Sequence, residues 1–459
     1  MFDVVIIGAG LSGLAAGIRL AHFGQKVCIL ERHTVWGGLN SFYKKDGHHF
    51  DSGLHAVTNY AAPGSKRGPL GTLCRQLRIK LEDFGLEPQT FSRITVNGAS
   101  IDFSNGLDLV TAEVARAFPS EVDGFARLCA ASLEYPIATI DRPFASSRAR
   151  IREFLSDPLL IEMILVPLFF YGAATEDDLD WDLFVVLFNS VFREGFGRPR
   201  RGIKQILDLL VSRFEESGGE MRRRAGVARL VVDEGRVTSV VLDDGSVVSG
   251  RTVLSSAGLV ETARLRSDRP ADDLAESIGP VAFMESQHIL ASPSTFTPCV
   301  TFYCNGPSLR WRSPVEPVDL TSGVICAPHN YQHSTAPERQ TIRITHLAND
   351  AYWTGLGASD EAQYAASKAD WVARSRVSVE PYTGKLDVKY TESFTPRTVR
   401  YYTGHLGGAI YGSPHKVKSG KTDLSNLFLC GTDQGLLGIV GAMLSGVAIA
   451  NANILGGAR

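Results

Sequence analysis

A run of closely spaced glycines near the N-terminus and one acidic side chain after it carry the clearest chemical potential in this chain. Gly8-Ala9-Gly10-Leu11-Ser12-Gly13 has the spacing G-x-G-x-x-G. The first glycine permits a tight turn, the second lets backbone approach a pyrophosphate, and the third lets a helix pack closely on a strand. A helix starting there offers free N–H groups and a partial positive charge to phosphate oxygens. Glu31 follows Gly13 by 18 residues, where a carboxylate can accept hydrogen bonds from both hydroxyls of a ribose. The chemistry indicated is dinucleotide binding, with a glycine turn that serves packing alone as the competing explanation.

These residues need a strand, a helix and a second strand to position them. Val4 to Ile7 is an unbroken apolar run, as in a parallel strand buried on both faces. Leu11, Leu14, Ala15 and Ile18 follow at helical spacing, Gly24 closes the helix, and Val27 to Leu30 is the next apolar run. Further on, Ile203, Ile206, Leu207, Leu210, Val211 and Phe214 share one helical face. Val227–Val232, Val237–Leu242 and Ser246–Val248 are short β-prone runs separated by Asp-Glu-Gly and Asp-Asp-Gly turns, which predicts a meander. Phe283–Leu290 and Gln340–Leu347 suggest a second sheet, and Leu427 to Cys430 a strand leading through a glycine-rich turn into a helix from about Val440. Residues 76–199 read as a mainly helical insertion.

Composition removes several classes. With 47 Lys+Arg against 49 Asp+Glu the net charge is −2, so there is no general basic field for nucleic acid. The 44% of hydrophobic residues suffices for a large core and argues against a disordered chain. Seven scattered cysteines without a C-x-x-C predict neither a zinc site nor a disulfide framework and fit a reducing, cytoplasmic setting. The chain runs from Asp3 directly into its first apolar run, without the positive leader of a signal peptide. Its most apolar stretch, Met163 to Ala174, is interrupted by Pro167 and Gly172 and falls short of the ~20 residues of a spanning helix.

Two later segments decide which dinucleotide. Gly37-Gly38 lies six residues beyond Glu31, and Phe50-Asp51-Ser52-Gly53-Leu54-His55 follows. At the far end stand Gly431-Thr432-Asp433 and Gly438-Ile439-Val440-Gly441-Ala442. Together they resemble flavoproteins of the amine oxidase and phytoene desaturase superfamily. With Thr395-Pro396-Arg397-Thr398, Tyr401 to Gly404 and Gly408 to Gly412, the chain is similar to the branch of phytoene desaturases, carotenoid isomerases and retinol saturases. Amine oxidases commonly carry an arginine after the paired glycines, whereas Leu39 stands there in this chain.

The resemblance implies FAD and an α/β fold: a discontinuous Rossmann-like FAD-binding domain (1–75, 200–272, 424–459) with an inserted α+β substrate domain (76–199, 273–423). It implies that Gly8, Gly10, Leu11, Ser12, Gly13, Glu31, Arg32, Gly37, Gly38, Leu39, Gly53, Leu54, His55, Val227, Ala257, Gly431, Asp433, Ile439, Val440 and Ala442 surround the cofactor. Asp433 is expected at the ribityl and pyrophosphate region, and the helix N-terminus near Val440 at the flavin. His55 is expected closest to the flavin, as a proton donor or orienting group, or as a histidine bonded into the local fold. Tyr402 and Tyr411 are expected to line the substrate pocket or to pack in a β segment. Leu159–Tyr171 and Phe184–Phe192 would line an apolar tunnel, touch a membrane surface peripherally, or form core.

The implied activity is FAD-dependent redox chemistry on C–C or C=C bonds of a long apolar isoprenoid. Carotenoid-type desaturation comes first, with saturation or cis–trans isomerisation of a retinoid or carotenoid as alternatives. The electron acceptor or donor is open, and no second dinucleotide turn predicts an NAD(P)H site. A lipid-binding protein resembling GDP-dissociation inhibitors is the non-enzymatic alternative.

Overall fold

Strand β1 (Phe2–Ile7) is buried at every position but Asp3, because parallel neighbours flank it on both edges and helices cover its sheet. In the computed structural model, which describes residues 1–136, 142–269, 274–335 and 337–456, it leads through Gly8–Gly10 into helix α1 (Leu11–His22) and then strand β2 (Val27–Glu31). The expected domain boundary at 272/273 and the final residues to 459 lie outside the described residues.

The first sheet is all parallel, in the order Leu427–Leu429, Gly250–Ser255, β1, β2, Glu220–Arg223. Its strands come from three separated stretches of chain, so this α/β layer is discontinuous in sequence. Arg223 and Arg224 are exposed at and just beyond its outer strand. The helix Ile203–Glu216 buries all six residues of the expected apolar face. The meander Val227–Asp233, Arg236–Leu242 and Val247–Val248 forms a separate three-stranded antiparallel sheet.

The helix Gly438–Ile449 lies across α1, and a Cβ on Gly446 would fall on the Ser12 carbonyl oxygen. Gly446→Ala is therefore expected to push this helix off α1 and destabilise the protein by about 1–3 kcal/mol. A urea midpoint equal to wild type would refute the close-packing argument. Gly438–Leu455 is long and apolar enough to cross a membrane, and part of it packs closely on α1 through Gly446.

The second sheet has seven strands in the order Val388–Phe394, Ala282–Leu290, Thr341–Ala348, Ser322–Cys326, Val300–Cys304, Ser92–Val96, Ala99–Phe103. Residues 76–199 are mainly helical, as expected, but the last two strands come from this insertion and tie it into the sheet. They form a hairpin across Asn97-Gly98, both with positive φ, the backbone that a two-residue hairpin turn demands. Helices Pro158–Gly172 and Trp181–Phe188 bury most of their apolar residues beside this sheet, and the first runs through Pro167 without ending there. Of these two helices only Phe170 and Tyr171 reach a cavity described below, so core packing accounts for most of both segments.

Candidate functional site

The turn between β1 and α1 is braced from below by Glu31. Its Oε2 accepts from the Ala9 N–H at 2.8 Å and its Oε1 from the His33 N–H at 2.8 Å. An ionised carboxylate has about four acceptor positions, so two further hydroxyl donors can still be accommodated. The Gly37 N–H donates to the Ala9 carbonyl at 2.9 Å, which lays the second glycine pair beside the first. No side chain caps the start of α1, and a Cβ on Gly10 would meet nothing within 4 Å. Uncapped N–H groups beside an open cleft match a pyrophosphate in both charge and hydrogen bonding.

The cleft at this turn is lined by most of the residues expected around the cofactor: Gly8, Gly10, Leu11, Ser12, Glu31, Arg32, Gly37, Gly38, Leu39, Val227, Ala257, Gly431 and Ala442. Gly13 stands behind it, where a Cβ would fall on the Gly8 carbonyl oxygen, so its part is close packing. Asp433 departs from expectation. Its carboxylate accepts from the Leu259 and Ser413 N–H groups and is buried, so Gly431 and Thr432 line the cleft in its place. Tyr402 also departs: it sits on the helix Pro396–Thr403, edge-on to the His33 ring, and lines this cleft instead of a substrate pocket. Glu261 and His405, which the sequence did not suggest, line the same cleft 3.6 Å apart. Burial works against the His405 imidazolium, but the Glu261 carboxylate outweighs it and raises the pKa.

A second cavity shares Leu39, Asn40, Thr432 and Ala442 with the cleft, so the two adjoin. Gly53, His55, Tyr411 and Ile439 line it as expected, joined by the apolar side chains of Phe170, Phe283, Ile410 and Leu437. Leu437, Gly438 and Ile439, at the uncapped start of the C-terminal helix, also face it. Two expected members do not. Leu54 and Val440 are wholly buried, because Leu54 turns its carbonyl to two arginines and Val440 faces the core beneath the helix.

His55 is held by residues far away in sequence. Its Nε2 lies 3.0 Å from Glu285 Oε2 and 2.9 Å from Thr345 Oγ1. Glu285 is also bonded by Arg343 and by Gln287 Nε2 at 3.0 Å. Arg198 donates to the Leu54 and His55 carbonyls and to Asp51 at 2.7–2.9 Å, fixing the loop that carries the imidazole. The antiparallel register brings these groups together, pairing Glu285 with Thr345 and Gln287 with Arg343. Burial disfavours the Glu285 carboxylate, but Arg343 and His55 outweigh it and hold the pKa at about 2. For His55 burial prevails over Glu285 and holds the imidazole below its ordinary pKa. Glu285, Gln287, Arg343, Thr345 and Arg198 were all missed. The available signal was the polar run Glu285-Ser286-Gln287-His288 inside an otherwise apolar strand, a costly burial unless every group is bonded.

Comparison with known proteins identifies the family. Residues 11–453 match the family described as flavin containing amine oxidoreductase. The chain is 24% identical over 480 residues to the chloroplastic prolycopene isomerase of Arabidopsis thaliana, covering 96% of this chain and 76% of that protein. It is 22% identical over 530 residues to all-trans-retinol 13,14-reductase of Danio rerio, covering 98% and 86%. With the lycopene-forming phytoene desaturase of Pseudescherichia vulneris it shares 27% over 289 residues, covering 57% of each. A match of this extent, on a parallel sheet with an uncapped helix end over a dinucleotide cleft, shows that the chain belongs to the flavin containing amine oxidoreductase family and is an FAD-dependent oxidoreductase.

Proposed function

We propose that the protein carries out FAD-dependent chemistry on a C–C or C=C bond of a long apolar isoprenoid, with carotenoid-type desaturation as the leading reaction. The observation that carries this reading is the second cavity. It adjoins the dinucleotide cleft, its walls are largely apolar and aromatic, and His55 and Glu285 are its titratable lining residues besides the two tyrosines. A polyene offers few polar handles, so Phe170, Phe283, Ile410 and Leu437 would bind and orient it by shape and keep water out. The Tyr411 hydroxyl donates to the Phe170 carbonyl, which fixes one wall. Glu31 and the turn at Gly8–Gly10 would hold the ribose and pyrophosphate of FAD. When bound, FAD supplies a two-electron acceptor or donor at its isoalloxazine ring.

The coverage of the comparisons favours a second reading. Similarity to the prolycopene isomerase and to the all-trans-retinol 13,14-reductase spans 96% and 98% of this chain, against 57% for the phytoene desaturase, which supports cis–trans isomerisation or saturation beside desaturation. An anaerobic absorbance titration separates the readings. Phytoene, retinol and prolycopene are added in turn to the oxidised and the dithionite-reduced protein. Bleaching of oxidised flavin supports desaturation, reoxidation of reduced flavin supports saturation, and a shift of the polyene bands under constant flavin absorbance supports isomerisation. A flavin-bound protein inert towards all three would sink the isoprenoid assignment. A colourless protein that binds a prenylated chain and cannot be loaded with FAD would favour a lipid-binding role.

A further inference from the structure

We infer that Glu285 is a positioning residue that fixes His55 as its Nε2–H tautomer, leaving the Nδ1 lone pair turned to the cavity as the acceptor of a substrate proton. The substrate part of this inference rests on the isoprenoid reading above, whereas the tautomer follows from the hydrogen bonds alone.

Every group around the Glu285 carboxylate donates to it. Oε1 accepts from Arg343 Nε at 3.1 Å and from Gln287 Nε2 at 3.0 Å, and Oε2 accepts from the Thr345 hydroxyl at 3.0 Å. An ionised carboxylate can only accept, so the remaining neighbour of Oε2, His55 Nε2 at 3.0 Å, must carry a proton. In a neutral imidazole the other nitrogen then holds a lone pair. His55 Nδ1 makes no hydrogen bond with any described residue, 16% of the side chain is open, and His55 lines the cavity.

The groups facing the ring from each packed element pull in both directions, and burial decides its charge state. Arg343 and Arg198 oppose an imidazolium, Glu285 favours one, and burial disfavours charge most of all. Tyr331 and Cys326 reach only the His55 carbonyl, each at 3.4 Å, and Tyr171 and Tyr411 line the cavity as neutral phenols. The ring is therefore neutral before reaction, and Glu285 stands ready to stabilise the cation formed once Nδ1 takes a proton.

In the dehydrogenation direction FAD, when bound, would supply the two-electron acceptor for the hydride of one substrate C–H bond. The neighbouring C–H gives its proton to Nδ1, and the electron pair it leaves becomes the new π bond. Saturation is the reverse, with the proton returned from Nδ1.

Glu285→Gln separates this from a merely structural role. Arg343 and Gln287 both donate on the Oε1 side, so the Gln amide oxygen must stay there and its NH2 must face His55. Nε2 would then have to accept, and the ring proton would move to Nδ1. The experiment is nitrogen NMR of the FAD-loaded protein labelled with 15N-histidine, with His55 assigned by the signal lost in His55→Gln. Wild type is expected to show a protonated Nε2 and an unprotonated Nδ1. Glu285→Gln is expected to show the opposite, with kcat at least about a hundredfold lower, KM and FAD occupancy little changed, and the acidic limb of the pH–rate profile lost.

Because Glu285→Gln strips Arg343 of its counter-charge and risks unfolding, the wild-type spectrum is the primary reading. Thr345→Val provides a second, since it leaves both charges in place and should keep the proton on Nε2. A wild-type proton on Nδ1, or a tautomer and turnover unmoved by a folded Glu285→Gln, would overturn the inference. The expected tautomer in a protein inert towards every isoprenoid would support the positioning by Glu285 and overturn the proton transfer from an isoprenoid.

Discussion

Glu31→Ala is expected to purify largely without flavin and to bind added FAD at least about a hundredfold more weakly than wild type. The Glu31 carboxylate is buried and already accepts the Ala9 and His33 N–H groups, which would be left unpaired. Its remaining acceptor positions face the cleft, where the ribose hydroxyls of the dinucleotide would donate to a charged oxygen. Hydrogen bonds to charged groups contribute about 1.5–3 kcal/mol each. Two of them amount to about 3 kcal/mol or more, which is at least a hundredfold in affinity. The loosened Ala9 turn adds to the loss, because the same backbone presents the uncapped end of α1 to the pyrophosphate. Quenching of FAD fluorescence on titration measures the constant directly. Wild-type affinity in this variant would remove the ribose role and leave Glu31 as a brace for the turn alone.

Arg343→Leu is expected to cost about 3–5 kcal/mol of stability at neutral pH, the usual penalty for stripping a buried charge of its partner. Arg343 and Glu285 are both almost fully enclosed, at 1% and 2% side-chain exposure, so solvent does little to screen the loss. The pH dependence gives the cause away. In wild type the Glu285 carboxyl is held at about 2, against 4.5 ordinarily, so between these values the unfolded chain binds more protons than the folded one. The stability that the pair contributes is therefore complete above about 4.5 and is lost as pH falls towards about 2. In Arg343→Leu burial is no longer opposed by the guanidinium, and the carboxyl moves upward instead. The deficit of the variant should then be largest at neutral and alkaline pH and shrink on acidification, as Glu285 takes a proton and ceases to be a buried charge. Urea unfolding of both proteins at several pH values tests this. A deficit that is small, or constant with pH, would show that Arg343 acts through packing alone.

The nucleotide half of the site was legible because its parts are local. A buried strand, three glycines at fixed spacing, a helix and an acidic strand end lie within Phe2–Glu31, and β1, α1 and β2 form where hydrophobic periodicity and backbone freedom put them. The hairpin Ser92–Phe103 was equally local and announced by Asn97-Gly98. It was overlooked because the apolar helices that follow it dominate the composition of residues 76–199. Nearby segments also misled. Asp433 stands in a glycine-rich motif that suggests a cofactor contact, yet its carboxylate goes to the backbone of Leu259, 174 residues away.

What the sequence by itself determined is the βαβ unit, the glycine turns and their acidic partner, hence dinucleotide binding, because each depends on contacts between residues close along the chain; the flavin was implied by the resemblance of the later segments. Only the tertiary structure decided the surroundings of His55. Glu285 is 230 residues from it and Thr345 is 290, and which of the polar residues in those two strands face the imidazole depends on strand register. A slip of one residue would turn Glu285 and Arg343 to the opposite face and leave His55 without its partner. That register is set by the packing of the whole sheet, and no spacing within either strand encodes it.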